Sequence, residues 1–137
     1  MPSVLPVAAL ALLVAGCATS AGRISVDELT KNGRLVSGTE LRQLFTQATV
    51  EGKDPNGVEF TLRTDDEGNY KGVTTRGDSF VGRWIINDHG EVCFDTVYDT
   101  IRTPCSAQYV LNGKYYALTP SGVVLERAIR RPSPVLR

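Results

Sequence analysis

The sequence predicts a mainly β fold: a short N-terminal helix, then an antiparallel up-and-down meander of about eight strands. The meander is expected to close into a small barrel or a strongly curved sheet. Three observations carry this expectation. From Ala48 onward, short runs of alternating apolar and polar residues recur, the period of half-buried strands. Each run is bounded by turn chemistry, as at Asp54-Pro55-Asn56-Gly57 and Asn112-Gly113, at the spacing of sequential hairpins. Ahead of them Leu41, Leu44, Phe45 and Ala48 fall at i, i+3, i+4 and i+7, one apolar stripe on a helix.

The chain begins with an uncharged apolar run over residues 4–16. A helix that spans a bilayer core takes roughly 20 residues, so this run is too short for one. At the N-terminus it predicts the apolar core of an export signal. The run ends Val14-Ala15-Gly16-Cys17, and this stretch resembles the signal of bacterial lipoproteins, although Met1-Pro2-Ser3 ahead of it carries no Lys or Arg. The resemblance implies cleavage before Cys17, a diacylglycerol on its thiol and acylation of its new amino group. It therefore implies a membrane partner reached through the lipidated cysteine. Ala18, where the family's retention signal has Asp, implies the outer membrane, facing the periplasm. The expected organisation is signal peptide 1–16, lipidated cysteine and tether 17–36, helix plus β meander 37–128, and a basic flexible tail 129–137.

The 137 residues carry 15 Lys+Arg and 15 Asp+Glu. Arg127, Arg130, Arg131 and Arg137 cluster at the C-terminus with no acid among them, so the body is mildly acidic. That distribution argues against nucleic acid, which calls for a basic face on the folded domain. Beyond the signal about 121 residues remain, enough for one domain with a modest core. Once the resemblance assigns Cys17 to acylation, Cys93 and Cys105 remain as a pair. An oxidising periplasm would let them form a disulfide. A metal site using them with His89 is the competing reading, but structural zinc ligands are paired more closely. No cofactor is implied.

Along the chain, Ser25-Val26-Asp27-Glu28 and Ser37-Gly38-Thr39-Glu40 both have capping-box spacing. The first predicts one or two helical turns stopped by Asn32-Gly33. The second predicts a helix over residues 39–46 that plugs one end or face of the domain. Strands are expected over 49–53, 58–63, 70–75, 79–87, 91–98, 105–111, 114–119 and 123–128. Phe80, Trp84 and Ile86 share one strand face, and Gly82 between them leaves room for the indole. Val92, Phe94 and Tyr98 share another, with Cys93 opposite, so a Cys93–Cys105 bridge would staple neighbouring strands.

Several features invite a functional reading. Gly82-Arg83-Trp84 is similar to the G-x-W of lipocalins, but lies mid-domain rather than on the first strand, so ligand carriage is not transferred from it. Gly82-x-Trp84, Gly90, Cys93, Cys105 and Tyr109, after a Thr39-Glu40-Leu41 helix, resemble a group of small exported bacterial proteins of unknown function. Asp65-Asp66-Glu67 lacks the alternation of a calcium loop and reads as a solvated turn. Arg76-Gly77-Asp78 and His89 read as turn residues too. Tyr115 and Tyr116 should point to opposite sheet faces, leaving one exposed. Trp84, Tyr115, Tyr116, Arg130 and Arg131 are the candidate contacts to a ligand or partner, the arginines toward anionic headgroups or cell-wall polymer.

The expectation is a non-enzymatic, lipid-anchored envelope domain that binds an envelope protein or polymer, with hydrolase inhibition as its specific form. The alternative is a small-molecule or lipid-binding barrel, for which a cavity between the sheet faces would be the distinguishing feature.

Overall fold

Ser25 starts the first element because its hydroxyl accepts the backbone N–H of Glu28 at 3.1 Å, which satisfies one orphan donor of a helix N-terminus. A computed structural model describes residues 24–96 and 103–131 of the chain. In order they form α1 (Val26–Asn32), β1 (Arg34–Val36), α2 (Gly38–Phe45), β2 (Thr49–Lys53), β3 (Glu59–Thr64), β4 (Asn69–Thr74), β5 (Ser79–Ile86), β6 (Val92–Thr96), β7 (Thr103–Leu111), β8 (Lys114–Leu118) and β9 (Val124–Arg130). Strands β2 to β9 pair antiparallel with their neighbours in sequence. The ring closes where Val50 of β2 meets Ile129 of β9. The result is an eight-stranded up-and-down barrel with β1 as an added strand against β7, Val36 opposite Gln108.

The hairpins owe their shape to one repeated device. At 54–57, 65–68, 74–77, 87–90 and 119–122 an Asp, Asn or Thr opens the turn and a glycine sits three residues on. The opening side chain accepts backbone N–H groups across the turn: Asp54 those of Asn56 and Val58, Asp65 those of Glu67 and Asn69, Asn87 those of His89 and Glu91. Thr74 and Thr119 do the same for Asp78 and Val123. The glycines adopt φ of 75° to 88°, a left-handed geometry that carries no steric cost without a Cβ. Asn112-Gly113 makes the tighter two-residue hairpin with both residues at positive φ, as its sequence predicts.

Alternation then divides each strand between an inner and an outer face. Val50, Leu62, Tyr70, Trp84, Val92 and Phe94 point inward and meet Leu41, Leu44 and Phe45 of α2, which closes one end of the barrel. Phe45 is the centre of that plug, with its ring 6.5 Å from Trp84 and edge-on to Phe94 at 5.9 Å. Thr64 at the end of β3 ties the plug down: its hydroxyl donates to Phe45 O and accepts the Ala48 N–H at 2.9 Å. A separate, outer cluster lies beneath α1, where Leu29 covers Leu111 and Tyr116. Cys93 and Cys105 are joined by a disulfide across β6 and β7, with Cα atoms 4.1 Å apart.

The structure departs from the sequence reading in five places. The capping box at Ser37 is not made: the Ser37 side chain caps nothing, and Glu40 grips Arg34 instead, with two bonds of 2.7 and 2.9 Å. Strand β1 lies within the expected tether; three residues are too few to show a period. Strand β9 runs on through Ile129 and Arg130 into the expected tail, held by pairing with Val50 and Thr49. Gly82 makes room for the ring of Tyr70 rather than for the indole: a Cβ there would come within 2.8 Å of Tyr70 Cε1 and would collide with the Asp95 carbonyl. Tyr115 and Tyr116 do face opposite ways, yet neither is exposed, since α1 covers the outer face where Tyr116 points. Tyr98 lies outside the described residues, as do Cys17 and the tail beyond Arg131.

A cavity in the barrel opposite the helical plug

Helix α2 fills only one end of the barrel. Toward the other end, where the turns at 54–57, 74–77 and 119–122 lie, the inward side chains leave a cavity of about 540 Å³. That size falls in the usual range for small-molecule sites. Phe45 forms its floor, and Val50, Phe60, Leu62, Phe80, Phe94, Ala117 and Leu125 supply apolar wall. Asp54, Asn56, Arg76 and Asp78 stand at the described rim.

Besides the hydroxyls of Thr74, Ser79, Ser106 and Thr119, three polar groups interrupt this apolar wall. Gln108, 1 % exposed, donates to Ser106 Oγ at 2.9 Å, which leaves its Oε1 without a hydrogen-bond partner among the described residues. Tyr70 Oη is buried and equally unpartnered. Burial, with the charge of Asp95, pushes the Tyr70 phenol up to about 12, so it stays protonated and offers a donor. Both residues line the cavity, so a polar atom of a bound molecule, or a water, can reach them.

The third polar group is charged. Alternation along β9 sends Leu125, Arg127 and Ile129 inward, and Arg127 thereby enters the barrel wall opposite Gly52. Its guanidinium lies 4.9 Å from the ring centroid of Phe60, and Nη1 donates to the Lys53 carbonyl at 2.7 Å and to its neighbour Glu126 O at 3.2 Å. Gly52 is what permits this: a Cβ at that position would sit 2.5 Å from Nη1 and 3.0 Å from Cδ. Burial lowers the Arg127 pKa to about 10, with the charge of Asp54 opposing the shift, so the group is still cationic at neutral pH. None of the three ion pairs among the described residues involves Arg127.

The candidate contacts expected from sequence do not converge on this cavity. Trp84 is core at the plugged end, its indole N–H donating to Asp65 O at 3.2 Å. Tyr115 packs against the inner core, Tyr116 lies under α1, and Arg130 pairs on the outer face with Glu51. Arg131 is exposed at the end of β9. His89 is an exposed turn residue between β5 and β6, apart from the bonded Cys93 and Cys105. Sequence reasoning missed Gln108 and Arg127 as cavity groups. The available signal was the period of two through Leu125-Glu126-Arg127-Ala128-Ile129, which puts a cation on the apolar face.

Fold and cavity together define a class: a closed antiparallel eight-stranded barrel, plugged at one end and hollow toward the other. Residues 10–112 match the family described as a protein of unknown function, DUF995, and the chain belongs to that family. No curated protein matches it.

Proposed function

We propose that this protein is an exported, lipid-anchored, non-enzymatic carrier or sensor that holds a small, mainly apolar molecule inside its barrel. The carrying observation is the cavity of about 540 Å³, apolar in most of its wall and interrupted by Gln108, Tyr70 and Arg127. A domain that served only as scaffold would gain stability by filling such space, since each buried methylene contributes about 0.8 kcal/mol. Small-molecule carriage therefore takes precedence over the macromolecular docking and hydrolase inhibition that the sequence suggested. The anchor in this proposal is Cys17, by resemblance to the lipoprotein signal, with the outer membrane as its location.

Two experiments test the two halves of the reading. Mass spectrometry of protein purified without denaturant should recover a bound small molecule. Ala117→Leu, which adds side-chain volume to a buried cavity wall, should expel it while the circular dichroism stays that of the parent. Retention of the same molecule by that variant would count against the barrel interior as the site. For the anchor, Cys17→Ala should leave an uncleaved or soluble product, and unchanged partitioning with membranes would refute acylation as the tether.

A further inference from the structure

We infer that the molecule held in the barrel is an anionic amphiphile, its apolar body against Phe45 and the barrel wall and its carboxylate or phosphate on the guanidinium of Arg127. The inference deepens the carrier reading and rests on it.

Arg127 is the only Lys or Arg on an inward strand position that lines the apolar part of the cavity among the described residues; Arg76 belongs to a rim turn. Its geometry is that of a group held ready. One nitrogen, Nη1, is fixed by the carbonyls of Lys53 and Glu126, and the Phe60 ring lies against the guanidinium. Nε and Nη2 make no hydrogen bond among the described residues, which leaves donors in the planar fork that suits carboxylate and phosphate oxygens. The acid nearest in effect, Asp54, is already committed: its carboxylate accepts the N–H groups of Asn56 and Val58 at 2.9 Å each and closes its own turn.

The energetics point the same way. Among the described residues no carboxylate is in salt-bridge contact with Arg127, and only the charge of Asp54 acts on it from farther off. A partly desolvated cation so placed is costly, and the cost falls when an anion arrives that can share the low-dielectric wall. Gly52 keeps the space this arrangement needs, as a side chain there would push the guanidinium off its carbonyl anchors. The same wall beyond Arg127 is built from Phe60, Leu62 and Leu125, a surface suited to an alkyl or ring body and not to a small hydrophilic anion.

The test uses the full chain and four probes with one alkyl length: decanoate, decyl phosphate, 1-decanol and decyltrimethylammonium. Binding is read by native mass spectrometry and by the shift in thermal unfolding. Both anions should bind about tenfold or more tightly than the alcohol, and the cation should bind more weakly than the alcohol. Arg127→Gln should erase the preference for the anions while the alcohol binds as before, and Gly52→Ala should weaken it with Arg127 still present. A preference for decanoate over decyl phosphate, or the reverse, identifies which headgroup chemistry the site takes. If the four probes bind the parent alike, or if Arg127→Gln weakens all four equally, the headgroup assignment is wrong and the carrier reading stands. If no probe binds and none is recovered from the purified protein, both readings fail. Should Arg127→Gln not fold, the ranking of the four probes on the parent and on Gly52→Ala decides.

Discussion

Asp65 opens one of the repeated turns, and its carboxylate shows how a residue with the chemistry of a metal ligand is used up by the backbone. Its pKa is held below the ordinary aspartate value chiefly because it accepts the Asn69 N–H, with the Asn69 amide and the Glu67 N–H adding to the effect against some desolvation. A depressed folded-state pKa means the unfolded chain binds the proton more readily. The resulting stability is present above the unfolded value and is lost as pH falls through the folded one. Asp65→Asn keeps an acceptor but removes the charge. It should lower the melting temperature at neutral pH and flatten its fall on the acid side, measured by thermal unfolding from neutral into the aspartate range. An unchanged acid limb would mean the charge does not contribute. The same turn logic accounts for Arg76-Gly77-Asp78 and for His89, whose neighbours Thr74 and Asn87 cap their own hairpins. These turns were readable from sequence because Asp, Asn, Thr and Gly act locally. Arg127 was readable only in part: the period of two puts it on the apolar face, but its role depends on Gly52 and Phe60 on other strands.

At the scale of elements, helix α2 does two jobs: Leu41 and Leu44 close the barrel, and Phe45 forms the cavity floor. The stripe of apolar residues announced the helix and even its plugging role. Its start at Ser37 was legible as well, but the bonding there was not, since the Glu40 carboxylate answers to Arg34, a partner that only the tertiary fold supplies. Phe45→Ala removes the ring that touches Trp84 and Phe94. Truncations of this kind cost about 3–5 kcal/mol in well-packed cores, and the void here adds to a cavity already present. The expected outcome is a fall of that size in the unfolding free energy from urea titration, together with loss of discrimination between long and short ligands. Leu41→Ala removes packing without reaching the cavity lining, so it should cost about 2–5 kcal/mol in stability and leave ligand length preference as it was. Strand β1 and the last turn of β9 escaped the sequence reading for opposite reasons. Strand β1 is too short to show a period, whereas the end of β9 carries the charge of a solvated tail and is held as a strand only by its pairing with β2.

For the whole molecule, a closed barrel is only as secure as its least regular seam. Most neighbouring strands share four or five paired positions, but among the described residues β6 and β7 are matched at Val92↔Ser106 and Phe94↔Thr103 with a register shift between. A bulge of this kind leaves ladder hydrogen bonds unmade and loosens the join. The disulfide Cys93–Cys105 spans that seam and no other. With a sequence separation of 12 it should stabilise the fold by about 3 kcal/mol through the unfolded chain's lost freedom. Its placement adds a further expectation: without the bridge, the ring should open first at this join. Reduction, or Cys93→Ser with Cys105→Ser, should therefore lower the unfolding free energy by about that amount. Amide exchange should also rise first in β6 and β7, ahead of the regular pairs β3–β4 and β8–β9. Exchange that rises evenly around the barrel would show that the bridge acts through the unfolded state alone. Exchange that rises first between β2 and β9 would place the weak seam at the closure between the ends of the meander, and the cavity wall carrying Arg127 would then be the part the disulfide protects least.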